Sequence, residues 1–286
     1  MAGDISLCRR EGRKNVKEVL SAQEFGALVE EIAPLEAAYD WDNSGYNIKC
    51  HEEIRKVLVC LDVNQAVLEE AVKGGYDTIL THHPLLFHAT KRLWNDRPVS
   101  GIAMQAVRQG CNIYCAHTSF DCAPLGMNRI LAEKLDLSGI QPLTVHKWSK
   151  EGRPIATMGN VGKLSQPMQA EVFAEQVKKK LEAVSVRYVP LEKEISCVAC
   201  IGGAGGDFVM EAAQAGADAL VTGEVKHNVY QEATDMGVML FEVGHYDSER
   251  IFCSHMCACL QKRLYALQYK ITVENSQAGV RPYRTV

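Results

Sequence analysis

The sequence has no uninterrupted apolar run of the roughly 20 residues that a membrane-spanning helix needs. Its first twenty residues carry Arg9, Arg10, Arg13 and Lys14 and lack the apolar core of a secretory signal peptide. The formal net charge is only −4, so no large basic excess is available to neutralise a nucleic-acid backbone. We therefore expect a cytoplasmic protein without membrane contact, and the charge argues against nucleic acid as a partner.

Cysteine, in contrast, is abundant, with eleven residues in the chain. The odd number and the absence of a secretion signal argue against a disulfide framework. Cys253, Cys257 and Cys259 form the only tight group. We expect the cysteines to be small buried apolar residues, with a metal or redox role for this group as the alternative. A hydrophobic content of 47% over 286 residues is enough for a sizeable core.

The chain repeats itself over a long distance. The strand-like run Val57–Asp62 aligns with Val198–Gly203, and without a gap Gly75–Thr81 falls on Gly216–Thr222, a constant offset of 141 residues. Each pair of runs encloses a helix-like segment that ends at a glycine, which accepts the left-handed cap conformation. A period of this length indicates a twofold duplication rather than a solenoid.

Each repeat has the order strand–helix–strand–helix–strand, which is typical of a layered α/β sheet. The predicted fold is therefore α/β, with two pseudo-duplicated halves at 1–143 and 144–286 and a site in the cleft between them. The polar segment Thr144–Asn160 is the predicted boundary between the halves. A C-terminal helix is predicted from about Ser248 to Gln268, with an acidic residue, Glu249, in its first turn.

A histidine stands four residues before an acidic residue at two places, His117–Asp121 and His245–Glu249, each after a strand-like run. A third cluster, His82 and His83, also follows such a run and precedes Pro84, which favours an extended or turn conformation for His83. Functional groups of α/β sheets gather at the carboxyl ends of the strands. A single histidine of this kind is often a helix cap or an ordinary hydrogen-bonding partner, but three clusters together indicate a metal site.

Neutral imidazole and ionised carboxylate are ligands of first-row metals. The candidate ligands exceed what one tetrahedral site uses, so we predict two divalent ions that can share a bridging carboxylate. The predicted ligands are His82, His83, Asp121, His245 and Glu249, with His117 as a sixth candidate. Without thiolate, this donor set fits zinc, iron, manganese or nickel. Two ions lower the pKa of a bound water toward about 7, which makes hydrolysis the predicted reaction class.

Two further segments have open interpretations. Gly202–Gly206 follows a strand and precedes a helix, so it is either a tight turn or a backbone cradle for phosphate. It matches neither the dinucleotide-binding nor the P-loop spacing. Glu224 lies at the strand end of the second repeat that corresponds to the strand end of His82 in the first, which indicates a supporting or substrate-binding role.

The chain resembles the NIF-three-like family, whose members are often described as GTP cyclohydrolase 1 type 2 homologues. The resemblance covers roughly residues 16 to 285. Its marks in this sequence are Trp41-Asp-Asn-Ser-Gly45, Thr81-His-His-Pro84, His117-Thr-Ser-Phe-Asp121, Thr222-Gly-Glu224 and Gly244-His-Tyr-Asp-Ser-Glu-Arg250. Where many members have a histidine pair after Gly-Glu, this chain has His227-Asn228. The segment between Pro142 and Lys226 is too short for the extra middle domain that some relatives carry.

The resemblance implies two similar α/β halves, a dinuclear metal site in their cleft and a toroidal homohexamer. By resemblance, His82, His83, Asp121, His245 and Glu249 match the metal ligands, with His117 beside them. The implied reaction is a metal-dependent hydrolysis of a nucleotide-like small molecule, with opening of the guanine imidazole ring of GTP as the named example. In this reading Glu249 bridges the ions, and His117 or Glu224 transfers protons. Phosphoester hydrolysis and a non-enzymatic role as a metal-binding or ring-shaped adaptor protein are the alternatives.

Overall fold

A computed structural model describes residues 16–286 as a layered α/β fold with two larger sheets. The strands are β1 (Leu20–Ser21), β2 (Gly45–Ile48), β3 (Glu53–Ile54), β4 (Lys56–Cys60), β5 (Thr78–Thr81), β6 (Asn112–Cys115), β7 (Ser138–Trp148), β8 (Pro154–Met168), β9 (Arg187–Tyr188), β10 (Ile195–Ile201), β11 (Ala219–Thr222), β12 (Met239–Glu242) and β13 (Thr272–Asn275). The α-helices are α1 (Ala22–Glu30), α2 (Gln65–Gly74), α3 (Pro98–Arg108), α4 (Thr118–Asp121), α5 (Met127–Lys134), α6 (Ala170–Leu181), α7 (Val209–Gln214), α8 (His227–Asp235), α9 (His245–Glu249) and α10 (Ile251–Ala266).

The two sheets repeat the same parallel core. The first sheet has the order β13-β4-β5-β6-β2, and the second has the order β7-β8-β10-β11-β12-β9. Val57 pairs with Thr78 in the first sheet, and Val198 pairs with Ala219 in the second. Both members of the second pair lie 141 residues after their counterparts, so the structure confirms the duplication expected from the sequence.

The core lies largely between the two sheets. Val57 of β4 and Val198 of β10 occupy equivalent positions and belong to one apolar cluster, which also contains Phe252 of α10. Their neighbours Leu58 and Ala199 point the other way, into two outer clusters. This alternation follows from the period of two along a strand. The shared inner core fixes the two sheets against each other and therefore positions the strand ends that carry the site.

Two aspartates accept equivalent backbone hydrogen bonds in the two sheets. The Asp77 carboxylate accepts hydrogen bonds from the backbone N–H groups of Arg55 and Lys56, at 2.7 and 3.2 Å. The Asp218 carboxylate accepts two bonds of 2.9 Å from Ser196 and Cys197. All three residues of the second group lie 141 positions after the corresponding residues of the first. The duplication therefore preserved hydrogen bonds as well as strands.

The segment predicted as the boundary between the halves forms a β-hairpin. Thr144–Asn160 lies in the antiparallel β7–β8 hairpin, in which Thr144 pairs with Met158. Most of β7 is exposed or half-buried, so its sequence lacks the apolar alternation that predicts a strand. Positions 143 and 144 both lie inside β7, and β13 from the C-terminal segment pairs with β4. The division into halves at this position stays a prediction.

The predicted C-terminal helix is two helices, a short one that begins before Ser248 and a long one that begins after it. The structure has a short α9 and then α10, so Glu249 ends the short helix rather than lying in the first turn of the long one. Gly244 precedes α9 with a φ of 94°, a conformation that favours glycine. This turn places His245 and Glu249 directly at the end of β12. The segment between Pro142 and Lys226 is filled by elements of the second sheet and its helices, as its length predicts.

Candidate metal centre

The candidate ligands follow the carboxyl ends of strands in both sheets. His82 and His83 follow β5, and His117 follows β6, with Asp121 at the end of α4. His245 and Glu249 begin and end α9, which follows β12 of the second sheet. The described structure thus brings all the sequence-predicted metal ligands, from both repeats, to one place.

Glu249 lies at the centre of this group. Its Oε2 atom is 3.0 Å from His83 Nε2 and 2.9 Å from His245 Nε2, and its Oε1 atom is 3.7 Å from His82 Nε2. The carboxylate is buried, with a side-chain exposure of only 5%. Ligand atoms of His82, His83 and Glu249 all lie within 4.8 Å of one another, so this cluster can hold a metal ion.

Asp121 extends the group on the side of His82. Its Oδ1 atom is 3.5 Å from His82 Nε2, and both atoms are buried without a hydrogen-bond partner among the described residues. Leaving such polar atoms unpaired costs free energy, and each one calls for an explanation. A cation between an imidazole nitrogen and a carboxylate oxygen satisfies both atoms, so the residues present fit a metal ion.

Each histidine of the site is held through its Nδ1 atom. His82 Nδ1 lies 2.9 Å from the carbonyl oxygen of Ala116 and donates to it. The other three histidines contact carboxylates in the same way. These contacts are His83 with Asp62 at 2.8 Å, His117 with Asp42 at 2.6 Å, and His245 with Glu224 at 3.2 Å. Such contacts orient the ring and leave Nε2 as a lone-pair donor, the usual arrangement of metal-binding histidines.

Electrostatics in the cluster favour cations beside Glu249. Burial lowers the pKa of His83, but hydrogen bonds to Asp62 and Glu249 outweigh burial and raise that pKa to about 10. For His245, burial is likewise outweighed by Glu249 and Glu224, and the pKa rises to about 9. Burial raises the pKa of the Glu249 carboxyl, yet the surrounding histidines hold it well below the ordinary value. The site therefore stabilises positive charge at the ligand nitrogens, whether carried by protons or by a metal.

The glycine-rich loop supports Glu249 and does not form a phosphate cradle. Its N–H groups at Gly202, Gly203 and Gly205 donate to side chains of Asn128, Ser248 and Thr222, respectively. Gly203 has a φ of +63°, and a Cβ atom there would lie 2.2 Å from Glu249 Oε1. The tight-turn interpretation of Gly202–Gly206 is therefore the one that fits, because these amides are already bonded and the loop packs against the carboxylate.

The two residues predicted to handle protons lie at the edge of the group. The His117 ring centroid is 5.5 Å from that of His82 and 5.7 Å from that of His83. Glu224 contacts the outer side of His245 and has a side-chain exposure of 60%. Glu224 and His245 also line an open cleft of about 460 Å³ together with Arg187 and Tyr283. Among the predicted ligands, His245 is the one that faces this cleft.

The sequence reasoning missed Asp62 and gave no role to Asp42. Asp62 follows the end of β4 closely, so the rule that placed the histidines at strand ends also applies to it. Asp42 lies in a loop far from His117 in sequence and accepts further hydrogen bonds from Thr118. Burial raises the Asp42 pKa, but the hydrogen bonds from His117 and Thr118 outweigh burial and hold it below the ordinary value.

The His82, His83 and Glu249 cluster includes no cysteine among its possible ligands, although Cys115 Sγ donates to the carbonyl oxygen of His82 at 3.0 Å. The ten cysteines within residues 16–286 are free, and most are buried or half-buried. Burial raises the pKa of Cys253 and of Cys257 to about 12. Thiols of this kind are unreactive, which agrees with the expected packing role for these two residues.

The comparisons with known proteins agree on one family. The family described as Duf34/NIF3 (NGG1p interacting factor 3) matches residues 20–282. A GTP cyclohydrolase 1 type 2 homolog from Clostridium acetobutylicum is 26% identical over 267 residues, which cover 93% of this chain and 98% of the relative. A protein of the same description from Nostoc sp. is 33% identical, with 72% of this chain and 77% of the relative covered.

Solved structures confirm the fold. A Bacillus cereus protein related to NIF3 superposes with a TM-score of 0.88 at 22% identity, covering 94% of this chain and all of that one. A Staphylococcus aureus hypothetical protein superposes with a TM-score of 0.86 at 26% identity, covering 93% and 99%. Within residues 16–286, no helix combines the length and apolar character needed to cross a membrane. With a family match across nearly its whole length, the chain belongs to the Duf34/NIF3 family.

Proposed function

We propose that this protein is a dinuclear metal-dependent hydrolase that acts on a nucleotide-like small molecule. The observation that carries the proposal is the position of Glu249, whose two carboxylate oxygens face different histidines. In this proposal His82, Asp121 and Glu249 Oε1 would hold one cation, while His83, His245 and Glu249 Oε2 would hold the other. Glu249 would thus be a ligand of both.

The donor set and its surroundings support this assignment. Nitrogen and oxygen donors without thiolate fit zinc, iron, manganese or nickel. A pair of such cations would supply a water of lowered pKa and a Lewis acid for hydrolysis. The chain's own residues orient the ligands, with Asp62, Asp42 and Glu224 fixing three of the rings. His117 Nε2 and the exposed Glu224 carboxylate are the groups proposed to accept or donate protons.

The proposed substrate class rests on the names of the relatives and on the cleft that His245 lines. The relatives are named GTP cyclohydrolase 1 type 2 homologs, so opening of the guanine ring of GTP is the first reaction to test. Phosphoester hydrolysis at the same two cations is the second. The open cleft beside His245 admits a small molecule rather than a folded partner. The toroidal homohexamer and the cytoplasmic location stay predictions, and light scattering on the purified protein tests the first of them.

The decisive experiment combines metal analysis with turnover. Purified protein is loaded with zinc, manganese or iron, its metal content is measured, and GTP and a panel of phosphoesters are assayed. We expect about two ions per chain and turnover that His83→Ala abolishes while the assembly stays intact. His51→Ala, which changes a histidine outside the cluster, is the matched control and should keep both. Full metal loading without turnover on any substrate would instead favour a metal-binding or adaptor protein.

A further inference from the structure

Beside the metal centre, three aromatic rings form a short column. The Tyr39 ring lies between His146, at a centroid distance of 4.8 Å, and Trp41, at 5.3 Å. The Tyr39 and Trp41 planes differ by only 13°, so these two rings are stacked. Trp41 ends the column and is 60% exposed. A large aromatic residue with one covered side and high exposure is a ready surface for another planar ring.

The column is directed toward the cluster through His117. The Trp41 centroid is 6.3 Å from that of His117, which is in turn 5.5 Å from that of His82. Phe87, itself 42% exposed, contacts Trp41 and His117 edge-on, each at 6.0 Å. The exposed Trp41 ring therefore neighbours His117, which itself neighbours the proposed metal ligand His82.

The loops that carry these rings are tied together. Asn43 Nδ2 donates to the carbonyl oxygen of Leu86 at 2.6 Å, and the Leu86 N–H donates to Asn47 Oδ1 at 3.1 Å. Lys147 Nζ from the second sheet donates to the carbonyl oxygen of Ala38 at 2.8 Å. A surface fixed before binding loses less conformational entropy when a ligand arrives. The hydrogen bonds between its loops distinguish this aromatic surface from isolated exposed side chains.

We propose that Trp41 and Phe87 form the ring-binding subsite for a nucleotide, with the heteroaromatic base stacked on Trp41 and the phosphate directed to the cations. This orientation suits phosphoester hydrolysis, the second reaction proposed above, because opening of the guanine ring would need the base itself at the cations. The subsite rests on the proposed function for its metal centre. Stacking on an aromatic side chain tolerates different bases because each base has a π face. The bound cations attract the anionic group, and the acidic ligands of the cluster would repel it without them. The aromatic surface thus adds a second recognition element to the charge of the metal centre.

Binding measurements test this subsite without requiring turnover. Calorimetry on manganese-loaded protein compares GMP, which has base and phosphate, with ribose 5-phosphate, which lacks the base. We expect Trp41→Ala to weaken GMP binding at least about tenfold, from the usual contribution of base stacking. Binding of ribose 5-phosphate should change less than about twofold by the same argument. Trp41→Phe should restore most of the GMP affinity, and Tyr265→Ala, an exposed aromatic residue on α10, should leave it unchanged.

Several outcomes would overturn the subsite. Equal losses of affinity for GMP and for ribose 5-phosphate would mean that Trp41→Ala acts through the metal centre. Metal analysis of this variant checks that explanation. A change in oligomeric state of Trp41→Ala, with GMP affinity retained, would make the aromatic surface a contact between copies of the chain. Phe87→Ala is a second test should Trp41→Ala fail to fold. Trp41-dependent GMP binding without any hydrolysis would contradict the hydrolase proposal and leave the subsite standing.

Discussion

At the scale of single residues, the candidate site depends on how its imidazole rings are held. His83 is oriented by Asp62, and His245 is oriented by Glu224, so each presents Nε2 to the same Glu249 oxygen. Removing such an outer partner leaves the ligand in place but frees the ring to rotate. The metal site should therefore be sensitive to residues that never touch the metal.

Asp62→Asn tests this dependence. An amide can still accept a hydrogen bond but carries no charge, so the ring is held less firmly and is a weaker base. We expect zinc affinity to fall about 10- to 100-fold, the usual effect of losing such a partner. Titration against a chromophoric chelator measures the affinity. Glu133→Gln changes an exposed carboxylate that pairs with Arg129 and is the control. An unchanged affinity in Asp62→Asn would mean that the ring does not need its outer partner.

At the scale of elements, two glycines allow the effect of a steric clash at the site to be distinguished from the effect of backbone strain alone. Gly203 and Gly216 both have positive φ angles, of +63° and +73°. A Cβ atom at Gly203 would lie 2.2 Å from Glu249 Oε1, whereas one at Gly216 would meet nothing within 4 Å. Alanine at either position has the strain of a left-handed conformation, about 1–2 kcal/mol. Only alanine at Gly203 also displaces the carboxylate.

The expected result for Gly203→Ala is a folded protein that has lost metal. Because the end of the Glu249 side chain can move, the free energy of unfolding should decrease about as much as in Gly216→Ala. Metal content should fall in Gly203→Ala and remain full in Gly216→Ala. Chemical denaturation and elemental analysis give the two quantities. Full metal content in both variants would contradict the close packing of the loop against Glu249.

The hydrogen-bonded Asp218 carboxylate of the second sheet makes the stability of the fold depend on pH. Burial raises the pKa of Asp218, but the hydrogen bonds from Cys197 and Ser196, and from Lys193, outweigh it and lower the pKa. A carboxyl whose pKa is lower in the folded than in the unfolded state stabilises the fold above its unfolded pKa, near 3.9. That stabilisation is lost as the pH falls through the lower, folded-state pKa.

Asp218→Asn should therefore be less stable than the parent protein at neutral pH, by about 1–3 kcal/mol for the weakened charge-assisted bonds. The difference should shrink as the pH falls below about 4. Denaturant unfolding at several pH values measures it. A difference that is independent of pH across this range would show that the ionised carboxylate of Asp218 is not the stabilising form.

Elements also differ in how well the sequence predicts them. The parallel core strands were predictable because they are short buried runs that end at fixed distances from glycines. The long β7 was not, since its side chains are mostly exposed or half-buried and show no alternation. The ligands were predictable from histidines at strand ends. Asp42 was not, because its link to His117 spans 75 residues and depends on how the loop folds back.

At the scale of the whole molecule, the candidate metal centre draws its side chains from both repeats but is not their main connection. The largest apolar cluster contains residues of both sheets and of α10, and none of the proposed ligands belongs to it. A chain of this size buries most of its apolar surface without help from a metal. The fold and the metal centre should therefore be separable.

Removal of metal with a chelator tests this separation. We expect the far-ultraviolet circular dichroism to stay unchanged and the unfolding to stay cooperative. The thermal midpoint should decrease by an amount that depends on free metal concentration, because only the folded state presents the assembled ligands. Re-addition of zinc should restore it. Loss of secondary structure on chelation would mean that the metal holds the fold together.

The most direct measurement is an anomalous-scattering map from crystals of the metal-loaded protein, recorded on both sides of the metal's absorption edge. Our account predicts two peaks about 3.5–4 Å apart with Glu249 between them. One peak should lie against His82 and Asp121, and the other against His83 and His245. A map without a peak among these side chains, from crystals grown with excess metal, would contradict it.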